Sequence, residues 1–178
     1  GPSKVPKIQG LYDRKVAALT LEEAGEMAKR LINSSEAVCP GAMYRGGMGA
    51  WHVMGVLMTS TGVSLDSKRT SISASIMPTY RKGDDIGSSY EYDYAVSLVE
   101  MNFEEIGKQA AKKALEQFGS KKVKSTILPI ILAPESTGAL IFGLLDAMTG
   151  ESAVKGRTYA SSCLGMQVAP PVLDIYDN

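Results

Sequence analysis

The order of patterns along this chain predicts an α+β fold, a largely antiparallel sheet packed with helices. Two stretches show apolar residues at helical spacing behind a capping residue, one opening at Thr20 and one at Asn102. Between them lies a strand-rich middle, where Ser71-Ile72-Ser73-Ala74-Ser75-Ile76 alternates hydroxyl and apolar residues with the period of a half-buried strand. Helix, several strands, helix, strand, helix is an α+β order, and it does not match a doubly wound sheet.

Gly1-Pro2, with Ser3, reads as the scar of a cleaved purification tag, and residues 4–178 are expected to form one α+β domain. Thr20-Leu21-Glu22-Glu23 has capping-box spacing. The helix behind it is expected to turn Leu21, Ala24, Ala28, Leu31 and Ile32 inward and to fray at Asn33-Ser34-Ser35. Strands are expected around Met43 to Arg45, Trp51 to Thr59, Ser67 to Tyr80 and Ser88 to Val96, with turns at Gly46-Gly47, Thr61-Gly62 and Gly83-Asp84. Asn102, with Glu105 three residues on, opens a helix that puts Ile106, Ala110, Ala114, Leu115 and Phe118 on one side and stops at Gly119. Ile127-Leu128-Pro129-Ile130-Ile131-Leu132 reads as a buried strand, with Pro129 forcing an edge position or a bulge. Pro134 suits the first turn of a last helix, whose Leu140, Ile141, Leu144, Leu145 and Met148 form a core-facing stripe before Gly150.

A chain of 178 residues with 44% apolar content can bury one sizeable core or two small ones. Its formal net charge of zero supplies no whole-chain attraction to nucleic acid or an anionic membrane. Lys112, Lys113, Lys121, Lys122 and Lys124 cluster around a helix end, where cations complement the dipole. No apolar run reaches the ~20 residues of a membrane span and no signal segment opens the chain, so a cytoplasmic location is expected.

Few residues could carry chemistry. The chain has one histidine, His52, and two cysteines, Cys39 and Cys163, which read as reduced thiols. A Cys163–His52 nucleophile and base remains an open alternative, because such pairs are set by geometry and not by spacing. Gly46-Gly47-Met48-Gly49 lacks the spacing and the Lys of a phosphate loop, and Asp84-Asp85 fits a turn. Tyr90, Tyr92 and Tyr94 fall on one strand face, opposite Glu91, Asp93 and Ala95. Such a row can pack across strands, or serve as a platform for a peptide or a partner subunit.

Several segments together resemble the TldD/PmbA family, the so-called modulators of gyrase. They are Gly10-Leu11-Tyr12-Asp13 before the capped helix, Leu57-Met58-Thr59-Ser60-Thr61-Gly62-Val63, and Ile106-Gly107-Lys108-Gln109-Ala110-Ala111. Ile131-Leu132-Ala133-Pro134 and Leu164-Gly165 with Leu173-Asp174-Ile175-Tyr176-Asp177 complete the set. The turn is similar to the family's Asn-Ser-x-Gly, with Thr59 and Thr61 altered. In the family's proteolytic subunit the helix after Pro134 would carry a His-Glu-x-x-x-His zinc motif. Here the two His positions are Phe142 and Ala147, and the Glu position is Gly143. The chain therefore resembles the PmbA/TldE branch, with a fold of TldD/PmbA N-terminal/central type.

That resemblance implies a non-catalytic subunit segment with no zinc of its own, contributing to partner and peptide binding. The implied partners are a cytoplasmic TldD-type zinc peptidase in a heterodimer, with a homodimer also open, and unfolded peptide threaded as a strand between subunits. Family members are normally more than twice this long, so the resemblance implies either an excised central portion without the β-rich C-terminal domain or an unusually short relative. A stand-alone hydrolase using Cys163 and His52, or carboxylates with a borrowed metal, is the alternative. The gyrase label raises a third class, a topoisomerase- or DNA-associated regulator. Zero net charge and the lack of a basic stripe interleaved with aromatics argue against direct DNA contact.

Overall fold

Thr20 and Glu23 cap one another reciprocally in the computed structural model, which describes residues 8–173. Thr20 Oγ1 accepts from Glu23 N at 3.2 Å and Thr20 N donates to Glu23 Oε2 at 2.9 Å. The described residues fall into two compact units, one ending at Lys122 and the other starting at Val123.

In the first unit a short helix, α1 (Arg14–Ala17), precedes the capped helix α2 (Leu21–Glu36). The inward stripe of α2 is Ala24, Met27, Ala28, Leu31, Ser34 and Ser35. Leu21 and Ile32 point to solvent, contrary to the sequence expectation, since Ile32 lies one residue, about 100°, around from Leu31. Nor does α2 fray at Ser34-Ser35. Both serines are buried where Gly107, on the helix that follows the sheet, comes closest, and a Cβ on Gly107 would stand 2.1 Å from Ser34 Oγ and 2.3 Å from the Leu31 carbonyl oxygen. Glu36 then ties the exit of α2 to the sheet, accepting from Gly41 N at 2.9 Å and from the Tyr44 hydroxyl at 2.5 Å.

The sheet is antiparallel and four-stranded: β1 (Met43–Met58), β2 (Ser64–Lys82), β3 (Asp85–Ser88) and β4 (Glu91–Ala95). β1 pairs along one side of β2, while β3 and β4 pair with its residues 79–82 and 72–76. The expected turn at Gly46-Gly47 is absent, because β1 runs straight through it. Gly46 serves close approach, since a Cβ there would meet the Ser75 carbonyl oxygen at 2.2 Å. The expected strand from Ser88 to Val96 is instead two strands broken at Ser89-Tyr90. The turn at Gly83-Asp84 forms as expected, with Gly83 at φ +63° in the first of two loop positions.

Along β2, Thr70, Ile72, Ala74, Ile76 and Pro78 are buried under the helices and the intervening residues face away. α3 (Phe103–Leu115), capped by Asn102, packs on β2 and α2 and buries Phe103, Ile106, Gly107, Ala110, Ala111 and Ala114. Val16, Leu31, Ile72, Ala74, Ile76, Met101, Phe103, Ile106 and Ala110 form the core. This is a helix layer on one face of a sheet, the predicted α+β class.

In the second unit, residues 123–133 form neither helix nor strand. The strand expected at Ile127 to Leu132 is overturned: Ile127 and Ile131 are fully exposed, and no ladder among the described residues takes up the segment. α4 (Pro134–Ala147) begins with Pro134 in its first turn, as expected. Its stripe is not a core stripe, because Leu140, Leu145 and Met148 are exposed and only Ile141 and Leu144 are half-buried. Among the described residues of this unit, only α5 (Gly150–Val154) and a 3-10 turn at Tyr159–Cys163 accompany α4, too little surface to cover it. Asp174, Ile175, Tyr176 and Asp177 lie outside the described residues.

Candidate functional site

The alternation that buries Ile72, Ala74 and Ile76 turns the neighbouring serines to the face opposite α2 and α3. On that face Ser71 lies opposite Trp51, Ser73 lies between Gly49 and Tyr94, and Ser75 lies between Gly47 and Tyr92. The floor is therefore glycine and serine, with aromatic side chains on both flanks. Trp51 folds its indole over Gly49 so closely that a Cβ there would come within 2.2 Å of the ring. On the other flank the Tyr90 and Tyr92 rings stack at 5.8 Å with an interplanar angle of 29°. Trp51, Tyr90, Tyr92 and Tyr94 remain 52%, 57%, 49% and 71% exposed, so these rings are not core packing in this structure.

The face is held in place from behind. Glu91 and Ala95 of β4 alternate inward with the tyrosines outward, and Lys113 of α3 reaches Glu91 Oε2 at 2.6 Å. Thr79 and Ser88 hydroxyls bond at 3.0 Å across β2 and β3 on the same side as the tyrosines. Sequence reasoning found the three tyrosines and the hydroxylated alternation of β2, but missed Trp51 as their counterpart. The signal was present in parity: Trp51 is an even number of residues from Gly47 and Gly49.

The other candidates sit elsewhere. His52 alternates to the helix side of β1, and its ring lies against Tyr12 with centroids 5.3 Å apart. Cys39 is buried below Tyr44, and burial, followed by the nearby Glu36 carboxylate, pushes its thiol up. Cys163 is half-buried in a groove of the second unit, with Met148, Tyr159, Leu164 and Met166. Asp85 accepts from the amide of Gly119, the turn residue expected to end α3, and so braces the β2–β3 turn.

On α4, Phe142 is 75% exposed and carries only a ring, while Gly143 and Ala147 line a surface groove with Asp146. Zinc takes imidazole, thiolate or carboxylate donors converging on one point. These three positions offer none, and Asp146 is one carboxylate, so the residues present do not fit a zinc site. Among the described residues no three His, Cys, Asp or Glu side chains gather as a metal site. No helix of the described residues is long and apolar enough to cross a membrane.

Comparison with known proteins places this geometry. The sequence profile of the PmbA/TldA metallopeptidase central domain matches residues 14–118, more than half of the chain. A metalloprotease PmbA homolog of Buchnera aphidicola subsp. Acyrthosiphon pisum (strain APS) is 24% identical over 165 residues, 92% of this chain. The chain spans 35% of that relative's length. Among solved structures, a protein assigned as a modulator of DNA gyrase from Bacteroides thetaiotaomicron superposes with a TM-score of 0.83 at 24% identity, over 94% of this chain and 39% of its own. TldE from Thermococcus kodakarensis gives 0.77 at 18% identity, over 91% and 37%. A second protein assigned as a modulator of DNA gyrase, from Thermotoga maritima, gives 0.61 at 23%, over 70% and 29%. These structural likenesses establish the shared fold. The profile match establishes the family, and the chain belongs to the PmbA/TldA metallopeptidases through their central domain.

Proposed function

We propose that this chain is a non-catalytic segment of a PmbA/TldE-type subunit, contributing to the binding of peptide and of a TldD-type metallopeptidase that supplies the zinc. The observation that carries the reading is chemical: in a metallopeptidase family, Phe142, Gly143 and Ala147 stand where the resemblance puts two His and a Glu, and none can ligate. Support comes from the aromatic face of the sheet. Exposed tyrosines and an indole over a glycine and serine floor suit an extended, unfolded peptide, whose side chains need apolar contact and whose backbone needs little space. The role of this chain's residues is then to bind and orient the substrate, with hydrolysis belonging to the partner.

The test incubates an unfolded peptide with this chain alone, with the chain plus zinc, and with a TldD-type partner. Cleavage is expected only with the partner, and faster with this chain present than without it. Cleavage by the chain alone that vanishes in Cys163→Ala or His52→Ala would replace the proposal with a stand-alone hydrolase.

A further inference from the structure

The charged residues of the sheet are sorted by face. On the face opposite α2 and α3, the charged residues at alternate positions of the four strands are Arg45, Arg69 and Arg81, each exposed. Asp66, Asp85, Glu91 and Asp93, the acidic residues of these strands, all fall on the opposite parity. A chain of zero net charge has thus gathered only cations among the charged strand residues of the face opposite α2 and α3. None of the three guanidiniums enters an ion pair among the described residues. Their sequence separation hides the grouping, which only the ladder register reveals.

Their places relative to the rings matter. Along β2 the order is Arg69, then Ser71 beside Trp51, Ser73 beside Tyr94 and Ser75 beside Tyr92, then Met77 beside Arg45, and finally Arg81. At ~3.4 Å per residue, Arg69 and Arg81 lie about 40 Å apart, with the aromatic stretch between Arg69 and Arg45. We propose that this face binds an extended acidic polypeptide segment laid along β2, its carboxylates meeting Arg69 at one end and Arg45 and Arg81 at the other. This deepens, and rests on, the reading of the face as the peptide-contact surface.

Guanidinium forks bind carboxylates in bidentate fashion, and the rings and hydroxyls between them accept side chains of either polarity. The spacing selects polypeptide over nucleic acid. A DNA duplex presents a phosphate about every 3.4 Å of axis on each strand and would leave most of them unpaired here, whereas three arginines over about 40 Å match carboxylates several residues apart.

Trp51 is the one tryptophan of the chain and lies in this face, so its emission reads occupancy directly. The whole chain is titrated with an unstructured peptide rich in Asp and Glu and free of Tyr and Trp, with its Asn/Gln counterpart, and with single-stranded oligothymidylate. The expected result is a saturable Trp51 response to the acidic peptide, about tenfold tighter than to the neutral one and weakening with salt. The Arg45→Gln/Arg69→Gln/Arg81→Gln variant should lose that difference while keeping its circular dichroism and melting temperature, since all three side chains are exposed.

Equal affinity for both peptides overturns the charge selection and leaves the peptide-contact reading standing. A response to neither peptide overturns both. Tighter binding of the oligothymidylate, or an emission change that follows protein concentration alone, overturns the proposal in favour of nucleic acid or a second copy of the chain.

Discussion

The hydroxyl of Thr70 accepts from the backbone N–H of Asp13 at 2.8 Å, joining residues 57 apart in sequence. The same hydroxyl donates to the Val96 carbonyl at 3.0 Å, and Thr70 N donates to the Leu11 carbonyl at 2.9 Å. One side chain, 3% exposed, therefore ties the entry to α1 and the exit of β4 to the centre of the sheet. Thr70→Val preserves shape and removes both side-chain bonds, leaving a donor and an acceptor without partners. A loss of about 1–3 kcal/mol in urea unfolding is expected, and Thr70→Ser, which keeps the hydroxyl, should recover most of it.

Asp13 itself gives a pH signature. Its carboxylate accepts from Ser97 Oγ at 2.6 Å, from Lys15 N and from Leu98 N, and these bonds hold its pKa below the usual carboxylate value, the Ser97 bond most strongly. A lowered folded-state pKa contributes stability that is fully present above the unfolded value, about 3.9, and is lost as pH falls through the folded one. Asp13→Asn should therefore melt below the natural protein at neutral pH, and the gap should close as the pH drops below about 4. A gap that stays constant down to acid unfolding would show that ionisation of Asp13 contributes nothing.

Local chemistry was legible wherever it rested on neighbours in sequence. The caps at Thr20 and Asn102, the Gly83 turn, the buried stripe of α3 and the alternation of β2 all follow from residues within a turn or a strand of one another. Misreadings arose where the reason for a residue lay across the fold. Gly46-Gly47 signals a turn in isolation, yet Gly46 is set by the Ser75 carbonyl of the next strand, and Ser34-Ser35 resembles a frayed end until Gly107 covers it. The candidate face was half legible: the tyrosines show in one strand, but Trp51 and the three arginines join them only through pairing register. Ile127 to Leu132 shows the limit of apolarity as a strand signal, since without a ladder partner it remains an exposed segment.

The Gly107 contact between α2 and α3 makes a paired prediction. Gly107→Ala forces a methyl against Ser34 Oγ and the Leu31 carbonyl, and main chain cannot yield as a side-chain tip can. Overpacking of this kind costs about 1–3 kcal/mol. Gly25→Ala on the exposed side of α2 meets nothing within 4 Å and should raise stability by ~0.5–1 kcal/mol through helix propensity. Opposite shifts in melting temperature for the same substitution on two packed helices would separate close packing from propensity.

The donor set on α4 predicts the response to metal. Equilibrium dialysis against zinc should leave the chain without stoichiometric metal at neutral pH, because Phe142, Gly143 and Ala147 offer no ligand and Asp146 is a single carboxylate. Zinc retained at one equivalent, and lost in Asp146→Asn, would reveal a site assembled from carboxylates and would reopen the borrowed-metal hydrolase.

The two thiols should separate kinetically. Cys39 is 1% exposed, and burial, with the Glu36 carboxylate adding to it, raises its pKa, so the thiol is disfavoured as thiolate and almost closed to solvent. Cys163 is half-buried at the surface of the second unit. A disulfide reagent at neutral pH should therefore modify one thiol quickly, with Cys163→Ala removing the fast phase and Cys39→Ala leaving it. Reaction of Cys39 should wait for unfolding of the first unit, so its rate should rise in Thr70→Val and Gly107→Ala as their stability falls. Should Cys39 react at the same rate in all three proteins, the opening that exposes it is local, confined to the turn between α2 and β1, and Glu36 with its bonds to Gly41 and Tyr44 becomes the element to vary next.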